Sequence, residues 1–294
     1  MKNGWSVRLG LYAGAFTALA AFGCAAQTVI HERASPYNTI IVTEDHNGLR
    51  TLLFERGGGR QSVVKPGDPD HLELPYARVA LAGLALCEEP RRILVVGLGG
   101  GTLPMFLRAH YPAATIDVAE IDPEVVDVAK KFFGFVEDEH MRAHVGDGRE
   151  FIEKAPPGDY DIIFLDAFGA REVPRHLTTR EFLRITRRAL RSNGVVVSNV
   201  WRPASNPLYG SMVRTYQEAF EELLILDVPG DVNNVFLALP RVQPLRQGEL
   251  ALLARKVSTA KRFRFDLGDL VEYGFRHARE KNPQASVLRD ADLR

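Results

Sequence analysis

The chain has 294 residues, 46% hydrophobic and 25% charged, enough apolar material for a buried core in one large domain with an appendage or in two smaller ones. Lysine plus arginine and aspartate plus glutamate each number 37, and this zero formal charge excludes a global field that would draw the protein to nucleic acid or to anionic lipid. The two cysteines, Cys24 and Cys87, say little about compartment, and no Cys/His cluster has metal-ligand spacing, so no bound metal is expected.

Residues 1–26 differ from the rest. Lys2 and Arg8 precede an uncharged run of small and apolar residues, the pattern of an export signal. The run passes through Ala21-Phe22-Gly23-Cys24, similar to a bacterial lipoprotein cleavage box with Ala21 where leucine is usual. Lipidation at Cys24 would tether the protein to a membrane, and cleavage near Ala26 would release it into the periplasm. The alternatives are an uncleaved anchor, or a spurious start that leaves a cytoplasmic protein.

Residues 35–70 read as a small antiparallel β unit. Thr39-Ile40-Ile41-Val42-Thr43, the turn His46-Asn47-Gly48, Thr51-Leu52-Leu53-Phe54 and Ser62-Val63-Val64 alternate apolar runs with turn residues, and Asn-Gly is a strong hairpin signal. Such short strands are not stable alone, so the unit should pack on a larger domain as a lid or rim. Pro66-Gly67-Asp68-Pro69-Asp70 reads as the linker.

Residues 71–242 alternate helix and strand. A helix over residues 72–86, with Leu74, Val79, Leu81 and Leu84 on one stripe, leads into the apolar run Ile93-Leu94-Val95-Val96. That strand feeds the cluster Gly97-Leu98-Gly99-Gly100-Gly101-Thr102 and a helix. A second run, Ile116-Asp117-Val118-Ala119, ends in Glu120-Ile121-Asp122, about 20 residues beyond the glycines. Glycines let backbone approach a ligand where a Cβ would collide, and a carboxylate at the next strand tip can accept both hydroxyls of a ribose. A dinucleotide fingerprint needs glycine where Thr102 stands, so the GxGxG form suits an S-adenosyl ligand better than NAD.

A helix opened by Pro123 follows, then a short strand ending at Gly146-Asp147-Gly148, a helix, and the clearest buried strand, Tyr160-Asp161-Ile162-Ile163-Phe164-Leu165, with Asp166 at its mouth. Thr178-Thr179-Arg180-Glu181 matches a capping box, and Val195-Val196-Val197-Ser198-Asn199 is the next strand. A helix over residues 209–223 and a closing hairpin, which reads as an antiparallel edge, complete the pattern. The expectation is a doubly wound α/β, Rossmann-like sheet of seven strands with an antiparallel last strand, and with ligands at the carboxyl ends of the strands. Glu120, Asp147 and Asp166 should therefore meet at one crevice. Each also has a plain structural use: Asp166 as a loop cap, Glu120 as a solvated strand end, Asp147 as an Asx turn before Gly148. His71, His144 and His176 have no evident partner, and Arg184, Arg187, Arg188 and Arg191 read as a solvated helix side. Residues 243–294 read as two peripheral helices and a mobile charged tail.

From about residue 37 to residue 240 the chain resembles the spermidine synthase, or polyamine aminopropyltransferase, family, whose fold is that of class I S-adenosylmethionine-dependent methyltransferases. The resemblance rests on Tyr37-Asn38-Thr39-Ile40, Tyr76, the GxGxG turn, Glu120-Ile121-Asp122, His144-Val145-Gly146-Asp147-Gly148 and Asp166. The run ending in Leu103-Pro104, with Val173-Pro174-Arg175-His176-Leu177-Thr178-Thr179, looks more like the bacterial synthase-like branch. It implies a site for decarboxylated S-adenosylmethionine or S-adenosylmethionine as a co-substrate, with no permanently bound cofactor. It implies Glu120 on the ribose, Asp147 and Gly148 at the adenine, Asn38 near the tail, and Gly97, Gly99 and Gly101 in the turn beneath. Asp166 would be the catalytic carboxylate, and Tyr37 and Tyr76 would contact a small amine substrate. A homodimer is in keeping with the resemblance. The departures fall at amine-contacting positions: synthases usually have an acid at Gly100, Gln or His at Ala77, and a second Asp at Gly169. A methyltransferase, or a nucleoside-binding homologue without turnover, is the alternative.

Overall fold

The computed structural model describes Met1 and residues 27–87, 89–169 and 173–293. The export-signal and Cys24 readings fall on residues 2–26, outside the described residues. Among the described residues no helix is long and apolar enough to cross a membrane.

A four-stranded antiparallel sheet comes first: β1 (Thr28–Ala34), β2 (Thr39–Glu44), β3 (Arg50–Leu53) and β4 (Arg60–Val64), paired in chain order. The unit is thus larger than expected, because β1 begins before residue 35. Ile40, Val42, Leu52 and Val64 bury their side chains in the main core, which supplies the apolar partner that so small a sheet requires.

Helix α1 (Pro75–Ala80) continues as a 3₁₀ helix, Leu81–Leu86, instead of the single α-helix the spacing suggested. Here the chain is pressed against the sheet: a Cβ on Gly83 would lie 2.4 Å from Val197 Cγ2. The sheet then builds through β5 (Arg92–Val96), α2 (Thr102–His110), β6 (Thr115–Glu120), α3 (Pro123–Val128), β7 (Met141–Val145), α4 (Gly148–Lys154), β8 (Tyr160–Leu165), α5 (Arg180–Ala189), β9 (Leu190–Trp201) and α6 (Tyr209–Ala219). It closes with β10 (Glu222–Asp227) and β11 (Asn233–Leu239), followed by α7 (Gln247–Ala260), α8 (Leu267–Tyr273) and β12 (Phe275–His277).

The strand order is β12-β10-β11-β9-β8-β5-β6-β7. Strands β7, β6, β5, β8 and β9 run parallel, and β11 is antiparallel to both neighbours. Two expectations are corrected. The antiparallel strand sits inside the sheet between β9 and β10, not at its edge. An eighth strand, β12, pairs antiparallel on the outside of β10 through Leu224 to Leu226. Side chains alternate between two cores: Ile93 and Val95 face the layer of α2, α7 and α8, while Leu94 and Val96 face that of α5 and α6. Burial on both faces explains why these strands are continuous apolar runs.

The carboxyl-terminal segment is docked, against the expectation of a mobile tail: Leu288 O accepts from Arg180 N at 2.8 Å, and Leu288 N donates to Thr215 Oγ1 at 2.9 Å. The arginine face is also more engaged than expected. Arg187 donates to the Ala219 and Pro240 carbonyls, Arg188 to the Glu153 carbonyl, and Arg191 pairs with Asp161.

Candidate active site

The carboxyl ends of β5, β6, β7, β8 and β9 open into one cavity of about 510 Å³, closed on another side by the β1–β4 unit and by the β10–β11 turn. Its floor is the glycine turn after β5. Gly97 has φ 99°, and a Cβ there would sit 2.4 Å from the carbonyl oxygen of Asp166, so only glycine lets the loops after β5 and β8 lie in contact. Gly99 lines the cavity beside it. Gly101, with φ 78°, caps α2 and packs against Phe135; it is not among the lining residues, so its part is to shape the turn.

Glu120 ends β6. It is 8% exposed, with Leu98 N donating to Oε2 at 2.9 Å and Asp122 N to Oε1 at 3.0 Å. Burial raises its pKa, and the two N–H donors oppose that rise. The Ile121 N–H opposes it as well, and the carboxylate lies in the cavity lining, where its remaining acceptor capacity faces a ligand. Asp147 lies after β7, where Oδ1 caps α4 through Arg149 N and Glu150 N at 2.8 and 3.2 Å. Its structural use is therefore real. Its Oδ2 accepts from His176 Nε2 at 2.7 Å, which gives His176 the partner that the sequence did not suggest; His144 likewise meets Asp117 at 2.9 Å, while His71 Nε2 lies 3.2 Å from Glu73 without a hydrogen bond. Gly148 packs on Val96, where a Cβ would come within 2.4 Å of Cγ1.

Asp166 follows β8 and is held at both oxygens. The Tyr76 hydroxyl donates to Oδ2 at 3.0 Å, and Asn199 Nδ2 donates to Oδ1 at 3.0 Å. Asn233 Nδ2 in turn donates to Asn199 Oδ1 at 2.6 Å. Burial lifts the Asp166 pKa to about 6, against the opposing pull of Asn199 and Tyr76. Burial, together with the neighbouring Asp166 charge, drives the Tyr76 phenol well above its ordinary range, so it stays a donor.

The structure brings Asn38, Tyr76, Gly97, Gly99, Glu120, Asp147, Gly148 and Asp166 around one cavity. It does not bring Tyr37, which is 50% exposed and outside the lining; its backbone N–H donates to Ser35 Oγ. Four acids line the cavity, Glu120, Asp147, Asp166 and Asp231, against one arginine, Arg60, and His176. A cationic ligand is favoured there. At Gly100 an acid is not merely missing: a Cβ would lie 2.9 Å from Ser62 Oγ and 3.0 Å from Phe133 Cδ1.

The sequence reading missed Asn199, Trp201, Asp231 and Asn233. Asn199 follows the same strand-end rule that picked out Asp166 and was within reach. Trp201, its ring tilted against Phe168 at 5.4 Å, and Asp231 and Asn233, beside the β10–β11 turn, depend on β11 pairing with β9, for which no local signal exists.

A spermine/spermidine synthase domain model matches residues 76–222, half of the chain. The chain is also 38% identical over 252 residues to the polyamine aminopropyltransferase of Vibrio vulnificus, covering 82% of this chain and 83% of that protein. It belongs to the spermine/spermidine synthase family. Within solved structures, a probable spermidine synthase from Corynebacterium glutamicum has the same fold, with TM-score 0.72 and 20% identity over 90% of this chain and 97% of that one. The fold is shared with methyltransferases. Human methyltransferase-like protein 13 in complex with SAH aligns at TM-score 0.58 and 30% identity over 64% of this chain and 93% of that one. The mouse eEF1A lysine and N-terminal methyltransferase is 34% identical over 207 residues, but this synthase-family chain spans only 29% of that protein's length.

Proposed function

We propose that this family member transfers an aminopropyl group from decarboxylated S-adenosylmethionine to a small polyamine amine. The observation that carries the reading is Asp166: a carboxylate fixed at both oxygens by Tyr76 and Asn199, its pKa raised by burial to about 6, sharing one cavity with Glu120. Glu120 would accept the two ribose hydroxyls, Asp147 and Gly148 would border the adenine, and Gly97, Gly99 and Asn38 would lie under the sulfonium and its tail. Gly101 shapes that turn from behind.

The chemistry follows from charge. An alkyl amine with a lysine-like pKa is ~99.9% protonated at neutral pH and cannot attack carbon. Asp166 holds the ammonium beside the donor and takes its proton. The freed nitrogen lone pair forms the new C–N bond as the C–S bond breaks, and sulfur leaves as a neutral thioether nucleoside. Holding both reactants in line on a prebuilt wall supplies most of the acceleration, and Asp166 adds general-base catalysis. The acceptor side comprises Tyr76, Asp166, Asn199 and Asp231, so Asp231 supplies a negative charge for a second ammonium where the usual acids are replaced by Gly100 and Gly169.

Mass spectrometry of putrescine or spermidine incubated with each donor tests the reading: an aminopropylated amine is expected, and a methylated or unchanged amine refutes it. Methyl transfer from intact S-adenosylmethionine is the second reading, favoured by the fold and sequence similarity to the eukaryotic methyltransferases. Export, membrane attachment through Cys24, and a homodimer also stand as proposals. S-adenosyl donors are made in the cytosol, so cell fractionation that finds the mature protein there would refute export and remove the supply problem.

A further inference from the structure

Asp290 lies beyond the segment matched by the family model, in the tail that the sequence suggested was free. Its carboxylate takes a two-pronged bond from Arg149, with Nη1 to Oδ1 at 2.8 Å and Nη2 to Oδ2 at 2.6 Å. Thr179 Oγ1 donates to the same Oδ1 at 2.7 Å, and Asp290 N donates to Glu181 Oε2 at 3.1 Å. A planar fork matched by a carboxylate is the arrangement in which arginine cannot be replaced by lysine without loss.

The fork reaches the cavity in two more steps. Arg149 Nη1 also donates to the carbonyl of His176 at 3.3 Å, and the His176 ring donates to Asp147 Oδ2 at 2.7 Å. His176 and Asp147 both line the cavity, at the end that borders Gly148. Arg175–Leu177 form a single 3₁₀ turn whose backbone-to-backbone bonds, among the described residues, run only within itself and to its flanking residues, and not to the sheet, so its position over the cavity depends on anchors of this kind.

We infer that Asp290 is a positioning residue for the adenine end of the donor: by aligning Arg149 it holds the His176 carbonyl, and through the His176 ring the Asp147 carboxylate, at the cavity rim. The carboxyl-terminal segment is then part of the donor site and not an appendage to it. The inference rests on the functional reading above, in which Asp147 borders the adenine of an S-adenosyl nucleoside.

The test is calorimetric binding of 5′-methylthioadenosine and S-adenosylhomocysteine to the full chain, the Asp290→Asn and Arg149→Lys variants, and the conservative Asp290→Glu. Asn and Lys each remove one charge-assisted hydrogen bond, so nucleoside affinity is expected to fall about tenfold in both variants, with partial recovery in Asp290→Glu. In turnover, KM for the donor should rise by the same factor while KM for the amine and kcat change by less than about twofold. Thermal melting is measured alongside. A lowered Tm with nucleoside affinity within about twofold of wild type would show a purely structural tail and overturn the inference. So would an equal rise in both KM values. A wild-type chain that binds neither nucleoside overturns the functional reading together with this one, whereas wild-type binding with an unaffected Asp290→Asn overturns this one alone.

Discussion

Replacing Asp166 by Asn separates its two roles, holding the amine and taking the proton. The side chain keeps its shape, and the contact that fixes the glycine turn is between Gly97 and the backbone of residue 166, so the donor floor is undisturbed. What is lost is a base whose pKa is about 6. At pH 7 such a group is roughly 90% ionised, so nearly every wild-type molecule is competent, and Asn can accept no proton. General-base catalysis is worth about 10²–10⁴, so kcat should fall on the order of 10³, or ~4 kcal/mol of transition-state stabilisation. Donor binding should stay within about twofold. In wild type, kcat/KM should fall about tenfold per pH unit below 6, because that ratio reports the free enzyme and the amine stays fully protonated across this range. The assay is product formation from putrescine by mass spectrometry over pH 5–9, with donor affinity from calorimetry. A kcat within about tenfold of wild type, or a loss of donor binding equal to the loss of turnover, would refute the assignment of Asp166 as base.

Four further outcomes are expected. Tyr76→Phe and Asn199→Ala each remove a donor that lowers the Asp166 pKa, so the acid limb of kcat/KM should move above pH 6; a limb that stays in place in both would refute their part in tuning the base. Glu120→Ala should weaken donor binding and also lower stability, because Leu98 N and Asp122 N are left buried without an acceptor at about 1–3 kcal/mol each; unchanged donor affinity would remove Glu120 from the ribose. Asp231→Asn should raise KM for a diamine about tenfold while leaving that for a monoamine and the donor affinity nearly unchanged, as expected for one lost charge-assisted contact. Finally, the folded protein binds the Asp166 proton more tightly than the unfolded chain, so this residue favours the folded state more as pH falls. From pH 7 to pH 4 the wild type should gain about 2 kcal/mol in denaturant stability relative to Asp166→Asn; an opposite trend would contradict the raised pKa.

How much of this was legible beforehand depends on whether a feature is local. Ile93 to Val96 and Tyr160 to Leu165 announce themselves because a parallel strand covered on both faces has to be apolar throughout. Once those strands are placed, Glu120, Asp147 and Asp166 must lie at their carboxyl ends, and one crevice follows from topology. The break of the first helix into a 3₁₀ turn was not legible, because it comes where Gly83 lies against Val197, a contact more than a hundred residues away in the chain. The three-residue strand Phe275–His277 is too short for any periodicity. Asp231 and Asn233 reach the cavity only because β11 inserts beside β9. Asp290 was hidden for a related reason: one carboxylate in a charged tail looks solvated until Arg149 is seen opposite it.

The central claim is the bond that breaks at sulfur, and the leaving nucleoside reports it directly. Chromatography of the nucleoside formed when the purified chain is incubated with decarboxylated S-adenosylmethionine and putrescine should show 5′-methylthioadenosine in a one-to-one ratio with aminopropylated amine, formed on the order of 10³ more slowly with Asp166→Asn. No methylthioadenosine from that donor, with S-adenosylhomocysteine released from S-adenosylmethionine instead, would contradict the account and make the chain a methyltransferase.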